Sequence, residues 1–300
     1  MQSGVADLRT IVDPLVSIGM PVYNGEKFLR QALDSLLTQD HYNFELNICD
    51  NASTDETAAI CEEYCARDQR IHYYSNPSNI GLLANWQRAF EAASSDLFMW
   101  AACDDCWSPN YVRTLVDCLL ANPQAALAAG RICFIDVNGN PYAGHHDAPA
   151  CDAGGNLGPA KQLLQQHSVN WLHGIYRRRS VAKFLPAFIN GDSWGSDVVF
   201  LWEICLATNV VGSNEAILYK RLAGHSSERT ARQRVKWQLW LATALLRPIL
   251  RSSLPLSKKA DLLHAYTSYL KRFTCPEGLY PWVFLWVRAG YHCLLGIDRP

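Results

Sequence analysis

Residues 16–37 have the sequence VSIGMPVYNGEKFLRQALDSLL, and the spacing of the apolar residues changes within this stretch. The first part belongs to a short apolar run that starts at Leu15 and is ended by Pro21, which predicts a buried β-strand. From Glu26 onward the apolar residues recur at the spacing of one helix face, which predicts an amphipathic helix. That face consists of Phe28, Leu29, Ala32, Leu33, Leu36 and Leu37. A strand followed directly by a helix is the building unit of a parallel sheet.

The alternation of strand and helix continues to residue 135. Further strands are predicted at residues 44–49, 70–74, 97–102 and 125–135, with helices between them. This order predicts an α/β fold in which a largely parallel sheet has helices on both faces. Ligands of such sheets bind at the carboxyl ends of the strands. The polar residues that follow predicted strands are Tyr23 and Asn24, Asp50, and the pair Asp104 and Asp105.

The pattern beyond residue 135 is less regular. Residues 136–156 predict a long loop, 171–176 an apolar strand, 195–208 a helix and 216–222 a strand. From residue 228 onward only helical periodicity occurs.

The composition of the 300 residues is that of a globular protein, with 49% hydrophobic and 18% charged residues. It excludes a disordered chain and a coiled coil. The charge is unevenly distributed, because residues 1–228 contain 15 Lys/Arg and 25 Asp/Glu, whereas residues 229–300 contain 12 and 3. A basic segment on an acidic body indicates contact with an anionic surface.

Eleven cysteines, and the lack of a signal peptide in the first fifteen residues, predict a protein of the reducing cytoplasm with free thiols. Cys103 and Cys106 form a Cys-x-x-Cys pair, but a zinc site would need a second such pair. The apolar residues 279–297 are interrupted by an arginine and a histidine, so a membrane span is not expected. We expect a cytoplasmic protein that can lie peripherally on the inner face of the membrane.

Four motifs follow one another at the ends of predicted strands. They are VSIGMPVYNG at residues 16–25, DNASTDET at 50–57, NIG at 79–81 with Asn85 after it, and DDCWSP at 104–109. Together they resemble the motifs of glycosyltransferase family two, the inverting GT-A type. The resemblance covers about residues 15–228 and implies a GT-A fold, which is a Rossmann-like, mostly parallel sheet flanked by helices, here with a C-terminal helical extension. It implies transfer of a sugar from a nucleotide-diphosphate sugar to a hydroxyl of a glycan or lipid-linked acceptor, as in bacterial-type surface glycan synthesis.

The resemblance also implies a set of donor-binding residues. They are Pro21, Tyr23, Asn24, Asp50, Asn79, Asp104 and Arg221. Tyr23 offers a flat wall for the base, and Asp50 can accept a hydrogen bond from a base N–H group. Asp50 could instead cap the next helix, although Ser53 and Asp55 are also cap candidates. The guanidinium of Arg221 could bind the diphosphate as a fork.

A divalent cation, Mg²⁺ or Mn²⁺, is expected at Asp104 and Asp105, because adjacent carboxylates in a cleft repel each other unless a cation lies between them. His225 lies in a segment that resembles the family's closing loop and is a further candidate for the metal or a phosphate. The aspartate pair could instead complement the dipole of the helix that begins near Ser108. The family pattern has another Asp two residues before Asp104, where this chain has Ala102, so one carboxylate contact is missing or replaced.

Inverting transfer requires a general base near the acceptor hydroxyl, and a carboxylate is suited to this role. Residues 195–203, GSDVVFLWE, resemble the helix of the family that follows its aspartate, so Asp197 is the candidate base and Asp192 the reserve. Asp197 could also cap its own helix, and the two roles are compatible.

We expect residues 1–228 to form the nucleotide-sugar-binding and catalytic domain and residues 229–300 to form a basic, Trp-rich helical tail. The tail either lies on an anionic membrane or folds back on the acidic body, where the charges pair. The alternative function is a catalytically silent GT-A module that binds a nucleotide or partner protein, which Ala102 favours. A dinucleotide oxidoreductase and a nucleic-acid partner are not expected, because the sequence lacks their motifs.

Overall fold

The structure, a computed structural model, describes residues 13–150, 157–166, 169–190, 195–222 and 230–273. Nine β-strands occur in these ranges and belong to one mixed sheet. In chain order they are β1 (Val16–Val22), β2 (Phe44–Asp50), β3 (Ile71–Ser75), β4 (Leu97–Trp100), β5 (Cys106–Trp107), β6 (Ala125–Ile135), β7 (Pro141–His146), β8 (Ile175–Arg177) and β9 (Asn209–Arg221).

Helices flank this sheet. In chain order they are α1 (Glu26–Leu37), α2 (Thr57–Arg67), α3 (Leu82–Glu91), α4 (Tyr111–Ala121), α5 (Leu157–Gln166), α6 (Arg178–Val181), α7 (Leu185–Ile189), α8 (Ser196–Ala207), α9 (Ala231–Arg251) and α10 (Leu256–Phe273). Short 3₁₀ turns lie at Val169–His173 and Ala182–Phe184.

The spatial order of the strands is β3-β2-β1-β4-β8-β6-β9-β5, with β7 paired to β6. The neighbours β3, β2, β1 and β4 pair in parallel. β8 is antiparallel to both β4 and β6, and β6 is parallel to β9. The carboxyl ends of β1, β2, β3, β4, β6 and β9 therefore lie at one edge of the sheet. This confirms the predicted α/β architecture.

A single hydrophobic core lies between the sheet and the helices. All seven residues of β1 are buried, as expected for a strand that is covered on both faces. Gly19 in this strand permits a close approach of α3. A Cβ atom at this position would lie 2.8 Å from the carbonyl oxygen of Ala89 and 2.9 Å from the ring of Phe98.

The elements predicted between residues 15 and 135 are confirmed, with ends that shift by one or two residues. Residues 171–176 do not form one strand, because a 3₁₀ turn occupies the first of them and β8 begins only at Ile175. Apolar residues are buried in either conformation, so their pattern does not distinguish the two. The predicted loop at 136–156 contains β7, and β9 begins at Asn209, before its predicted start.

Helices α9 and α10 pack against the body. The indole of Trp202 in α8 donates a hydrogen bond to the carbonyl of Leu245 in α9 at 2.9 Å. The hydroxyl of Tyr266 in α10 donates to the carbonyl of Ala242 at 2.9 Å. Residues 230–273 therefore share the hydrophobic core of the preceding residues. The division of the chain at residue 228 stays a prediction.

The described cations of the tail do not pair with the acidic body. Lys236, Arg247 and Arg251 are exposed. Within the described ranges, one ion pair joins tail and body, between Lys161 and Asp261 at 3.1 Å, and there the tail supplies the acid. None of the helices in these ranges has an apolar stretch long enough to span a bilayer. The apolar residues 279–297 lie outside the described residues.

Candidate active site

Reciprocal hydrogen bonds join the loops that follow β1 and β2. Val22 and Asp50, the last residues of these strands, are paired in the sheet. The backbone N–H of Asn24 donates to the hydroxyl of Ser53 at 2.9 Å, and its side-chain oxygen accepts from the backbone N–H of Thr54 at 2.9 Å. Asn24 has a φ of 50°, a left-handed conformation that Asn adopts more readily than most residues. Asn24 therefore ties the loop after β1 to the loop after β2.

The carboxylate of Asp55 caps two helices at once. It accepts hydrogen bonds from the backbone N–H groups of Glu26 in α1 and Thr57 in α2, each at 3.1 Å. The carboxylate of Glu26 in turn accepts from the backbone N–H of Glu56 at 3.0 Å. These bonds cap the first residues of both helices, whereas Asp50 accepts from the backbone N–H of Ser53, which lies before α2, so helix capping does not account for Asp50.

Asp50 is 2% exposed and lies at the end of β2. One carboxylate oxygen accepts from the backbone N–H and the hydroxyl of Ser53, at 3.0 and 2.5 Å. The other accepts from the hydroxyl of Tyr73 at 2.7 Å. Burial and the neighbouring Asp50 raise the pKa of Tyr73, which therefore remains a hydrogen-bond donor. A carboxylate has about four lone-pair positions, so Asp50 can accept one further N–H group.

Three further residues that were predicted to bind the donor differ in exposure. Tyr23 is 49% exposed beside Asp50 and has its ring available. Pro21 is buried within β1. The side-chain oxygen of Asn79 accepts from the side chain of Asn51 and from the backbone N–H of Gly81, each at 2.9 Å, so Asn79 shapes its own loop. Direct donor contact by these residues stays a prediction.

The two adjacent aspartates that precede β5 have different surroundings. Asp105 is completely buried, and its carboxylate accepts from the ammonium of Lys220 and from the backbone N–H of Arg221, each at 2.9 Å. Asp104 is half-buried, and its carboxylate accepts no hydrogen bond from the described residues. Lys220 thus pairs with Asp105, and Asp104 is the member of the pair whose carboxylate has no partner among the described residues.

The ammonium of Lys220 interacts electrostatically with several groups of this region. Burial alone would lower the pKa of its ammonium, but Asp105 and Asp104 raise it, so Lys220 stays protonated. His173, whose Nδ1 lies 3.0 Å from the carbonyl oxygen of Trp100, is buried beside it. Burial and the charge of Lys220 lower the pKa of His173 to about 3, so this ring is neutral.

Arg221, which was predicted to bind the diphosphate, has its guanidinium among oxygens of the chain itself. Its side chain is 3% exposed, and its guanidinium donates to the carbonyl oxygens of Asp104 at 2.9 Å and Asp136 at 3.0 Å and to the side-chain oxygen of Gln31 at 2.8 Å. The guanidinium also lies 4.4 Å from the ring centre of Phe28. Because these contacts surround the guanidinium, Arg221 holds α1 and the segments beside β5 and β6 together. Its binding of a diphosphate stays a prediction.

Asp197 lies in the first turn of α8, which follows Gly195 with its left-handed φ of 86°. Its carboxylate accepts a hydrogen bond from the backbone N–H of Val198 at 2.8 Å. Burial raises the pKa of Asp197, although Val198 and the charge of Lys220 oppose the shift. The negative charge of Asp197 in turn contributes to the raised pKa of Tyr269 in α10. Asp197 therefore lies within electrostatic range of Lys220 and of the tail helices.

Two predicted residues, Asp192 and His225, lie outside the described residues. The described ranges hold no cluster of three or more His, Cys, Asp or Glu side chains grouped as metal ligands. Sequence reasoning missed Lys220, although it stands next to Arg221, and it missed His173 and Tyr73, which have no motif around them.

The fold is that of GT-A glycosyltransferases. A crystal structure of Staphylococcus aureus TarS in complex with UDP-GlcNAc superimposes with a TM-score of 0.67 at 16% identity, covering 94% of this chain and 81% of that one. The mannosyltransferase PcManGT from Pyrobaculum calidifontis, in complex with GDP-Man and Mn²⁺, has a TM-score of 0.55 at 14% identity and covers 97% and 77%.

The family model described as Glycosyl transferase family 2 matches residues 17–186, more than half of the chain, and the chain belongs to this family. An uncharacterized glycosyltransferase of Haemophilus influenzae is 32% identical over 127 residues, which is 42% of this chain. The chain spans about half the length of that relative.

Proposed function

We propose that this protein transfers a sugar, with inversion, from a nucleotide-diphosphate sugar to a hydroxyl acceptor. The observation that supports this proposal is the ion pair of Lys220 with Asp105, together with the electrostatic interaction of Lys220 with Asp104 and Asp197, which come from different elements of the fold. A half-buried carboxylate without a hydrogen-bond partner among the described residues, a second half-buried carboxylate with a raised pKa and a fixed cation are groups that suit such a displacement. The loops after β1 and β2 supply the place for the base, with Tyr23 as its wall and Asp50 as a hydrogen-bond acceptor.

In the proposed reaction Asp197 takes the proton of the acceptor hydroxyl. The acceptor oxygen then forms its bond to the anomeric carbon of the sugar, on the face opposite the diphosphate. The bond between this carbon and the diphosphate oxygen breaks, and its electron pair leaves with the nucleoside diphosphate. The raised pKa of Asp197 suits it to proton acceptance, because a stronger base takes the hydroxyl proton more readily.

The residues present fit a divalent cation in part. Asp104 has an open, half-buried carboxylate, whereas Asp105 is already neutralised by Lys220. We propose that Asp104, with His225 as a further candidate, holds Mg²⁺ or Mn²⁺. When bound, the cation would offset negative charge on the diphosphate. PcManGT, a structural neighbour, has been crystallised with Mn²⁺.

Incubation with a panel of nucleotide sugars tests the proposed function. We expect the purified protein to hydrolyse one of them slowly to the nucleoside diphosphate, and we expect chelation of divalent cations to reduce that rate. The released diphosphate is measured by chromatography. Tight binding of a nucleotide sugar, with neither hydrolysis nor transfer under any metal condition, would instead support the silent GT-A module that Ala102 favours.

We further propose that the acceptor is a glycan or lipid-linked molecule of surface glycan synthesis and that the tail lies on the anionic inner face of the membrane. The support is the exposure of Arg247 and Arg251, one turn apart on α9, without an acidic partner among the described residues. Cations near an anionic leaflet each contribute about 1 kcal/mol to binding.

Vesicle flotation tests the membrane proposal. We expect the protein to float with anionic vesicles and not with neutral ones, and to lose this binding as salt is added. The double variant Arg247→Gln/Arg251→Gln should bind anionic vesicles roughly 30-fold more weakly, since about 1 kcal/mol is lost per cation. Arg67→Gln/Arg179→Gln, which removes two exposed cations of the body, is the matched control. If the protein does not float with anionic vesicles at low salt, the acceptor need not be a lipid.

A further inference from the structure

Lys220 is a cation at the candidate active site that no motif assigns to the reaction. It is the penultimate residue of β9, and its side chain is 23% exposed. Its ammonium lies 2.9 Å from a carboxylate oxygen of Asp105 and within electrostatic range of Asp104 and Asp197. Lys220 thus lies among the groups proposed to bind the donor and to take the acceptor proton.

The ammonium of Lys220 has N–H groups without an acceptor among the described residues. It carries three N–H groups, and among the described residues Asp105 is the acceptor of one of them. Asp105 is fixed in turn by the backbone N–H of Arg221. Asp105 therefore holds the ammonium of Lys220 on its buried side. The other two N–H groups of the ammonium can bind an anion on the partly exposed side.

A diphosphate would need this charge. Three carboxylates, those of Asp104, Asp105 and Asp197, lie in this region. The guanidinium of Arg221 already donates its hydrogen bonds to oxygen atoms of the chain itself. Ala102 removes a carboxylate that could help to hold a metal ion. Neighbouring residues of a strand point to opposite faces, and Lys220 is the one of the two whose side chain is partly exposed.

We propose that Lys220 donates a hydrogen bond to the diphosphate of the sugar donor and binds it without the help of a metal ion. This inference rests on the proposed function. The charge-assisted bond strengthens as the diphosphate gains negative charge on leaving, so Lys220 stabilises the leaving group as well as the bound donor. A cation held by Asp104 adds to this interaction and does not replace it.

Titration calorimetry in the presence of a chelator tests the role of Lys220. The probes are UDP against uridine and GDP against guanosine. We expect the wild-type protein to bind one diphosphate roughly 10- to 100-fold more tightly than its nucleoside, the range of a charge-assisted hydrogen bond. In Lys220→Met this ratio should fall to near one, while the affinity for the nucleoside stays the same. Lys161→Met, which removes an ammonium paired with Asp261 on another face, should keep the wild-type ratio.

The double variant Asp105→Asn/Lys220→Met separates binding from folding, because it removes both charges of the buried pair together. We expect it to fold and to show the same loss of the diphosphate preference. If the double variant still prefers the diphosphate over the nucleoside, the role of Lys220 is overturned. It is also overturned if the wild-type protein in chelator binds the nucleoside but shows no preference for the diphosphate. If neither nucleoside nor diphosphate binds to the wild-type protein, the proposed donor site itself is wrong and the inference falls with it.

Discussion

An Asp197→Asn variant is expected to lose at least about 100-fold in kcat and to bind the nucleoside diphosphate as tightly as the wild-type protein. The amide keeps the size of the carboxylate and can still accept the hydrogen bond from the backbone N–H of Val198, so α8 keeps its first turn. It cannot take the proton of the acceptor hydroxyl, and the loss therefore falls on turnover. Steady-state transfer rates, together with titration of the diphosphate, measure the two effects separately.

Glu203→Gln is the matched control for this variant. Glu203 lies in the same helix, and burial raises the pKa of its carboxyl as well, but we assign it no part in the reaction. We expect its kcat to stay within a factor of a few of the wild type. Normal turnover by Asp197→Asn together with an inactive Asp192→Asn would identify Asp192 as the base.

The pH dependence of the wild-type rate follows from the same residue. A general base works only when it is deprotonated, and burial raises the pKa of Asp197. Its active form is therefore lost as the pH falls through a value above the usual range of an aspartate. We expect this acidic decline in the wild-type profile and in that of Glu203→Gln.

The secondary structure could be predicted where it depends on the local spacing of apolar residues. The strands and helices up to residue 135 follow from the spacing of apolar residues along the chain, which is set by local geometry. The antiparallel β8 and the two-residue β5 depend on pairing with strands far away in the sequence. A stretch such as residues 171–176 is apolar in either conformation, and only its partners β4 and β6 determine where the strand begins.

The candidate site was predictable in its positions but not in the orientation of its side chains. The motifs place Asp50 at the end of a strand, Asp104 after a strand and Asp197 at the start of a helix. The structure has Asp50 at the end of β2, Asp104 in the loop between β4 and β5, and Asp197 in the first turn of α8. Neither a motif nor composition tells which of two neighbouring charged residues has its side chain exposed at the candidate site. Lys220 and Arg221 alternate along β9, and the buried one is the arginine that the sequence favoured for the diphosphate.

Replacing Arg221 by methionine should lower the free energy of unfolding by roughly 3–5 kcal/mol, the range for loss of a buried hydrogen-bonded cation. The methionine can fill part of the volume over the ring of Phe28. The carbonyl oxygens of Asp104 and Asp136 and the side-chain oxygen of Gln31 would lose the donors that the buried guanidinium supplies. Thermal unfolding measures the loss as a fall in Tm of roughly 10 °C.

Arg30→Met is the control for this replacement. Both side chains of the ion pair between Arg30 and Glu63 are about half exposed, so loss of this pair should leave Tm nearly unchanged.

Diphosphate affinity distinguishes the two possible roles of Arg221. Since its guanidinium is directed at the chain's own oxygens, the Arg221→Met protein should bind the diphosphate normally at temperatures where it remains folded. A variant that keeps its Tm but loses the diphosphate would make Arg221 the diphosphate ligand, as the sequence predicted, and would take that role away from Lys220.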